Sequence, residues 1–301
     1  MARPLPDRQL SPRSWTLKHP QFVRRARGSV PRMGPTPAHG RGSSDDSAQT
    51  PLFIVVEAEL NGRCNRRCSY CPVATMPRPE GVPRLMPAEV FDALVSELVR
   101  LAFRGRFSHH FLNEPLMRND LEEMISRVSR ELPGAHQVLY TNGDYLTESR
   151  YRTLMAAGIH NIVVTSHSGA SHPPREHQAV HFPREMTLSN RGGYLTHLPA
   201  VTPGSLGTPC FAPSEILIVG ANGDVLLCHE DANRSHVMGN VLAQPLDTIW
   251  ASEPFRVARE LLAKGRRADA SDICKVCTNF DLATPQRSVR MWTEEVWRGE
   301  A

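Results

Sequence analysis

Apolar positions along this chain recur in two alternating periods. An apolar run, Leu52-Phe-Ile-Val-Val56, opens a strand over 52–58. Val90, Phe91, Leu94, Val95, Leu98 and Leu101 then follow helical spacing, which predicts a helix over 87–102 with Pro87 in its first turn. Residues 107–112 read as a second strand. Leu121, Met124, Ile125, Val128 and Leu132 mark a second helix, with Asn119 placed to cap it. Residues 137–141 form a third strand, and Thr147 caps a third helix that ends at Ala157-Gly158. Residues 159–165 are a fourth strand and 186–189 a weaker fifth. Such alternation predicts an α/β fold with a parallel sheet and helices outside it.

The pattern changes past residue 205. Two apolar runs, 215–220 and 225–228, flank Asn222-Gly223, a hairpin signal. A helix is predicted over 245–264, with Ile249, Phe255, Val257, Leu261 and Leu262 among its apolar positions. The chain therefore divides into a tail (1–50), a β/α part (51–205), a hairpin-and-helix part (206–280) and a terminal helix or tail (281–301).

Charge alters the picture at one end only. The 301 residues carry a formal net charge of +4. Residues 1–50 hold nine Lys/Arg against three Asp/Glu, whereas 51–301 hold twenty-six against twenty-eight. The basic balance belongs to a Pro-, Arg-, Gly- and Ser-rich tail, for which disorder is the expectation. A basic targeting arm, or a start near Met33, is the alternative. The remainder offers no electrostatic reason for nucleic-acid binding. No apolar stretch is long enough to span a bilayer, so no membrane span is expected.

Candidate chemistry concentrates in cysteine. Cys64, Cys68 and Cys71 fall within eight residues, directly after the first strand. Three thiolates on one loop can hold three irons of a four-iron cluster and leave the fourth open. Cys210 precedes the hairpin, Cys228 ends it, and Cys274 and Cys277 follow the last helix. Structural zinc is the alternative for either set. Disulfides are disfavoured, because seven is an odd number and no signal peptide is visible.

The C-x3-C-x2-C spacing with Tyr70 before its last cysteine resembles the radical S-adenosylmethionine (SAM) enzymes. The four later cysteines resemble the twitch module, a short form of the SPASM domain. Together they resemble the carbohydrate- and aminocyclitol-acting dehydrogenases and epimerases of antibiotic biosynthesis. The resemblance implies a partial (β/α)6 barrel followed by a small hairpin/helix twitch domain. It implies SAM and two [4Fe-4S] clusters: Cys64, Cys68 and Cys71 for the SAM-binding one, and Cys210, Cys228, Cys274 and Cys277 for an auxiliary one. A flavodoxin or ferredoxin would be the reductant.

Strand ends should carry the chemistry of such a fold. At the second, Asn113-Glu114-Pro115 stands where family members often have Gly-Glu-Pro facing the SAM amino group. Asn142, in Thr141-Asn-Gly143, could hold SAM or substrate hydroxyls, or simply form a turn. Ser166 is a candidate SAM contact and His167 a candidate base. The His- and Pro-rich stretch 167–181 reads as a substrate-covering loop. Arg191, in Asn190-Arg-Gly-Gly193, would contact either the reacting hydroxyl or the SAM carboxylate.

The resemblance implies removal of a hydrogen atom from a sugar or aminocyclitol carbinol carbon. Oxidation to a ketone leaves one electron for the auxiliary cluster. Epimerisation instead needs a hydrogen donor such as a free thiol, and full use of all seven cysteines leaves none. Dehydrogenation is the expectation, with epimerisation, peptide modification and a zinc scaffold as alternatives.

Overall fold

The computed structural model describes residues 52–285. The readings of 1–50 and of residues past 285 lie outside that range. The element order is β1 (Val55–Ala58), α1 (Ala88–Arg100), β2 (Arg106–Ser108), α2 (Leu121–Glu131), β3 (His136–Thr141), α3 (Glu148–Ala157), β4 (Asn161–Thr165) and β5 (Gln178–His181). Then come α4 (Ala212–Glu215), β6 (Ile216–Val219), β7 (Asp224–Leu226), β8 (Val237–Asn240), α5 (Leu246–Ala251), α6 (Glu253–Ala263), α7 (Arg267–Ala270) and α8 (Asp272–Val276).

All eight strands form one sheet in the order β5-β4-β3-β2-β1-β6-β7-β8. Neighbours from β5 to β6 are parallel, and β6-β7-β8 is antiparallel. The α/β expectation holds. The strands β1 and β6 are buried along their whole length, which is why they read as unbroken apolar runs. On α1, Val90, Phe91, Leu94, Val95 and Leu98 turn inward and are buried. The hairpin's first strand pairs with β1 over four positions, from Val55–Ile216 to Ala58–Val219. The C-terminal cysteine part is thus an extension of the same sheet.

Several boundaries differ from the sequence reading, each for a local reason. The second strand stops at Ser108, because the side chain of Asn113 takes the Phe111 N–H at 2.8 Å and turns the chain. Asn119 does not cap α2. Asp120 occupies that position, and its carboxylate is held by Arg118 at 2.7 and 3.0 Å instead of by the helix. Thr147 does cap α3, accepting from the Arg150 N–H at 3.1 Å. The fifth strand is Gln178–His181, paired with β4; residues 186–189 are not strand. The predicted helix over 245–264 is broken at Ser252, where ψ is 149°. Pro254 requires that break: it lacks an N–H, and its ring would clash with the Trp250 carbonyl in a continuous helix. The edge strand β8 had no clear sequence signal, since Val237-Met-Gly-Asn240 does not alternate.

Candidate active site

The thiol loop leaves β1 through Asn61, whose buried side chain donates to the Glu114 carbonyl at 3.1 Å and accepts the Arg63 N–H at 2.8 Å. The Glu114 N–H donates to the Arg63 carbonyl at 2.7 Å. The ends of β1 and β2 therefore hold the loop where it begins. Cys64, Cys68 and Cys71 are free and half-buried. Asn142 donates to Asn65 at 2.8 Å, with the Cys64 sulfur at 4.0 Å. Arg66 and Asn65 both donate to the Asp144 carboxylate, each at 2.6 Å. The Arg66 guanidinium, by its hydrogen bond first, holds that carboxyl below its ordinary range.

Glu114 is only 1 % exposed. Its carboxylate accepts from the Leu116 N–H at 3.0 Å, the Thr141 hydroxyl at 2.7 Å and the Asn142 N–H at 2.7 Å. Burial pushes its pKa up despite these donors. Glu114 thus clamps the ends of β2 and β3 together beside the thiol loop. Asn113 keeps a buried amide nitrogen with no described partner. Ser166 donates to the Ala170 carbonyl at 2.7 Å, closing the turn after β4. The rings of His167 and Tyr70 stack at 5.8 Å, the Tyr70 hydroxyl bonds His167 Nδ1, and that nitrogen lies 3.5 Å from the Cys68 sulfur. His167 therefore stands on the thiol loop. The segment beyond it folds over the strand ends: a Cβ on Gly143 would come within 2.5 Å of the His172 ring.

The four later cysteines come together. Cys210, Cys228, Cys274 and Cys277 line one enclosed cavity with Leu262, Ile273 and Leu282. Burial pushes their thiols up, Cys274 to about 11 and Cys277 to about 12. Helix α8 owes its start to Ser271, which caps it by accepting the Cys274 N–H at 3.2 Å.

A backbone pattern unites the two cysteine groups. The sulfurs of Cys64, Cys71, Cys210, Cys228 and Cys277 each accept the N–H of the residue two positions on, from Arg66, Val73, Ala212, Glu230 and Asn279. N–H donors aimed at sulfur favour thiolate over thiol and tune a bound cluster. Both sets therefore fit iron–sulfur ligation.

A cavity of about 200 Å³ adjoins the later cysteine group, sharing His229, Asn279 and Leu282 with the thiol-lined one. The sheet contributes Glu57, Arg106, Tyr140 and Ile216, the loop after β2 contributes His110, and the cysteine part contributes His229, Asn279 and Asp281. Arg191 completes the wall. Its backbone is left-handed (φ 51°), as are Gly192 and Gly193, and a Cβ on Gly192 would meet the Glu230 carbonyl at 3.0 Å. That tight turn aims the guanidinium at Glu230, 3.5 Å away. Burial raises the Glu230 carboxyl, but the Arg191 charge and its hydrogen bonds bring it net below its ordinary range. Arg191 also acts on the Cys71 thiol, which burial pushes up and the Val73 N–H and this cation pull down.

Of the residues singled out from sequence, Arg191 alone lines the cavity; His167 does not. Glu57, Arg106, His110, Tyr140, His229, Asn279 and Asp281 were not foreseen. One signal was available: Glu57 and Arg106 are charged residues inside buried strands, and such residues require a partner. They have it, at 3.4 Å from each other, with Arg106 also donating to the Tyr140 hydroxyl at 2.9 Å.

Comparison with known proteins agrees with this geometry. Residues 59–185 match the model of the radical SAM superfamily, and 210–278 match SPASM, an iron–sulfur cluster-binding domain. The chain is 36 % identical over 247 residues to the S-adenosyl-L-methionine-dependent 2-deoxy-scyllo-inosamine dehydrogenase of Niallia circulans, covering 78 % of this chain and 97 % of the relative. A GTP 3′,8-cyclase of Aquifex aeolicus is 34 % identical over 133 residues, covering 41 % of this chain and 38 % of its own. Among solved structures, BtrN in complex with AdoMet and 2-DOIA superposes with a TM-score of 0.72 at 36 % identity, over 78 % of this chain and 97 % of that one. BtrN in an open conformation gives 0.65 at 33 % identity, over 79 % and 97 %. SAM, a SAM-binding [4Fe-4S] cluster and auxiliary iron–sulfur ligation follow for this chain, and a zinc scaffold is set aside. The chain belongs to the radical SAM superfamily and is a radical SAM oxidoreductase with a SPASM domain.

Proposed function

We propose that this enzyme oxidises a secondary alcohol of an aminocyclitol to a ketone, in the biosynthesis of an aminoglycoside-like product. The observation that carries the reading is the position of Arg191. Its side chain lines the polar cavity, and its charge reaches both Cys71 of the thiol loop and Glu230 beside Cys228. A substrate held there stands between the two cysteine groups. The cavity's charged and polar walls suit a polyol, and its volume suits a single ring.

Cys64, Cys68 and Cys71 would hold the SAM-binding cluster, and Cys210, Cys228, Cys274 and Cys277 the auxiliary one. When bound, SAM and its cluster would supply the hydrogen-abstracting 5′-deoxyadenosyl radical, and the auxiliary cluster would offer an acceptor for the second electron. The chain itself positions the alcohol and manages its proton. The Arg191 guanidinium donates to the reacting oxygen and fixes its position. His110 takes the hydroxyl proton. Burial, ahead of the nearby charges, holds its imidazole at about 4, so it is neutral and able to accept. Loss of the second electron makes that proton strongly acidic, so a weak base suffices. Tyr70, Asn113, Glu114, Asn142 and Ser166 shape the SAM site, with Glu114 acting through Asn142. His167 orients Tyr70.

A thiol outside the two groups, the kind of hydrogen donor that would serve epimerisation, is missing: all seven cysteines fall in the two groups. The chemistry calls for a reducing cytoplasm and a flavodoxin or ferredoxin donor. Among the described residues no helix is long and apolar enough to cross a membrane. The test is anaerobic incubation with SAM, dithionite and 2-deoxy-scyllo-inosamine in deuterated water. One ketone per 5′-deoxyadenosine supports the reading. An epimer carrying carbon-bound deuterium overturns it.

A further inference from the structure

We propose that Asp281 is the subsite for the substrate's ammonium group, an inference that rests on the aminocyclitol reading above. The charged residues of the cavity wall are Glu57, Arg106, Arg191 and Asp281. Three of them are matched within the protein. Glu57 pairs with Arg106 at 3.4 Å, and Arg191 with Glu230, just behind the wall, at 3.5 Å. Asp281 makes no ion pair with any described residue. Its one described hydrogen bond runs through its own N–H, to the Asn279 side chain at 3.1 Å.

That carboxylate is half-buried on a segment fastened at both sides. Upstream, Asn279 donates to Glu230 at 2.8 Å, and its carbonyl accepts from Arg267 at 3.0 Å. Arg267 is itself fully buried. Downstream, the Leu282 carbonyl accepts the Phe211 N–H at 2.8 Å, and the Leu282 side chain is buried. Asp281 is therefore presented to the cavity by a fixed backbone, without an ion-pair partner among the described residues.

A partly desolvated, unmatched carboxylate is unfavourable until a cation reaches it. A hydroxyl group can donate one hydrogen bond to it but leaves the charge uncompensated. An ammonium supplies both charge and donors, and such charge-assisted bonds are about twice as strong as neutral ones. The cavity thus divides its labour. Arg191 addresses the oxygen to be oxidised, and Asp281 sets which ring position faces it by holding the amine. The residue lies past the end of the SPASM match at 278.

The experiment compares wild type with Asp281→Asn, both purified anaerobically with full iron and saturated with SAM. Binding of two probes is measured calorimetrically: 2-deoxy-scyllo-inosamine, and the same ring with a hydroxyl in place of the amine. The wild type should prefer the amine. Asp281→Asn should weaken the amine about 10- to 100-fold and leave the hydroxyl ring within about twofold, with Asp281→Glu recovering part of the loss. Equal weakening of both probes, or of neither, overturns the subsite. A wild type that binds neither ring overturns the aminocyclitol reading and the subsite with it.

Discussion

Asn190 and Thr278 are joined by a reciprocal pair of hydrogen bonds. The Asn190 N–H donates to the Thr278 hydroxyl at 2.8 Å, and the Thr278 N–H donates to the Asn190 side chain at 3.2 Å. Asn190 also donates to the Val276 carbonyl at 2.7 Å and accepts the Gly193 N–H at 3.2 Å. One side chain, 5 % exposed, thereby fastens the Arg191 turn to the backbone on either side of Cys277. Asn190→Ala should lower substrate turnover about 10- to 100-fold by releasing Arg191, because small misplacements of a positioning group cost that much. Iron content and substrate-free SAM cleavage should be unchanged. Loss of about four irons would show instead that Asn190 supports the cluster.

The two cysteine groups should be separable. Replacing Cys64, Cys68 and Cys71 together with Ala should leave about four irons per chain and abolish 5′-deoxyadenosine formation. Replacing Cys228 and Cys274 with Ala should preserve SAM cleavage and abolish ketone formation. Iron analysis and product chromatography read both outcomes. SAM cleavage surviving in the first variant would refute the ligand assignment.

Glu114 is a clamp whose loss should be felt at a distance. Glu114→Ala leaves the Leu116 and Asn142 N–H groups and the Thr141 hydroxyl without their acceptor. Buried unpaired donors cost about 1–3 kcal/mol each. The variant should melt earlier and bind SAM at least about tenfold more weakly, while Glu114→Gln, which keeps an acceptor oxygen, should lose less. Equal SAM affinity in all three proteins would confine Glu114 to stability.

Acid should destabilise the fold through the fully buried His109 and through His110 on the cavity wall. Burial holds His109 at about 4, against the raising effect of its 2.7 Å bond to Gln137, and holds His110 at about 4 as well. In the unfolded chain both titrate near about 6.5. Between those values the unfolded state binds more protons, so stability is complete above pH ~6.5 and declines as pH falls toward 4. Anaerobic guanidinium midpoints at pH 7.5 and 5.5 should differ, and His109→Gln should narrow the gap. An unchanged gap would place the pH dependence elsewhere.

Much of this architecture was readable from the chain, and the failures have physical causes. The strands of the parallel core announce themselves because burial on both faces demands unbroken apolar runs, as in Ile216–Val219. Strand β5 hid because Gln178-Ala-Val-His181 lies in a His- and Pro-rich stretch and is only partly buried. The cysteine sets were legible because cluster ligation constrains spacing along the chain. The cavity wall was not, since Glu57, Tyr140, Arg191 and Asp281 converge from four separate segments. Sequence spacing carries no trace of such convergence. His167, singled out at a strand end as a candidate base, turns its Nδ1 to the Tyr70 hydroxyl, a contact that strand position alone does not disclose.

The pairing of β6 with β1 has a mechanical corollary. Four residues of continuous ladder weld the module bearing the later thiols to the scaffold bearing the earlier ones, so neither can rock against the other like a jaw. The span an electron must cross is fixed when the polypeptide folds.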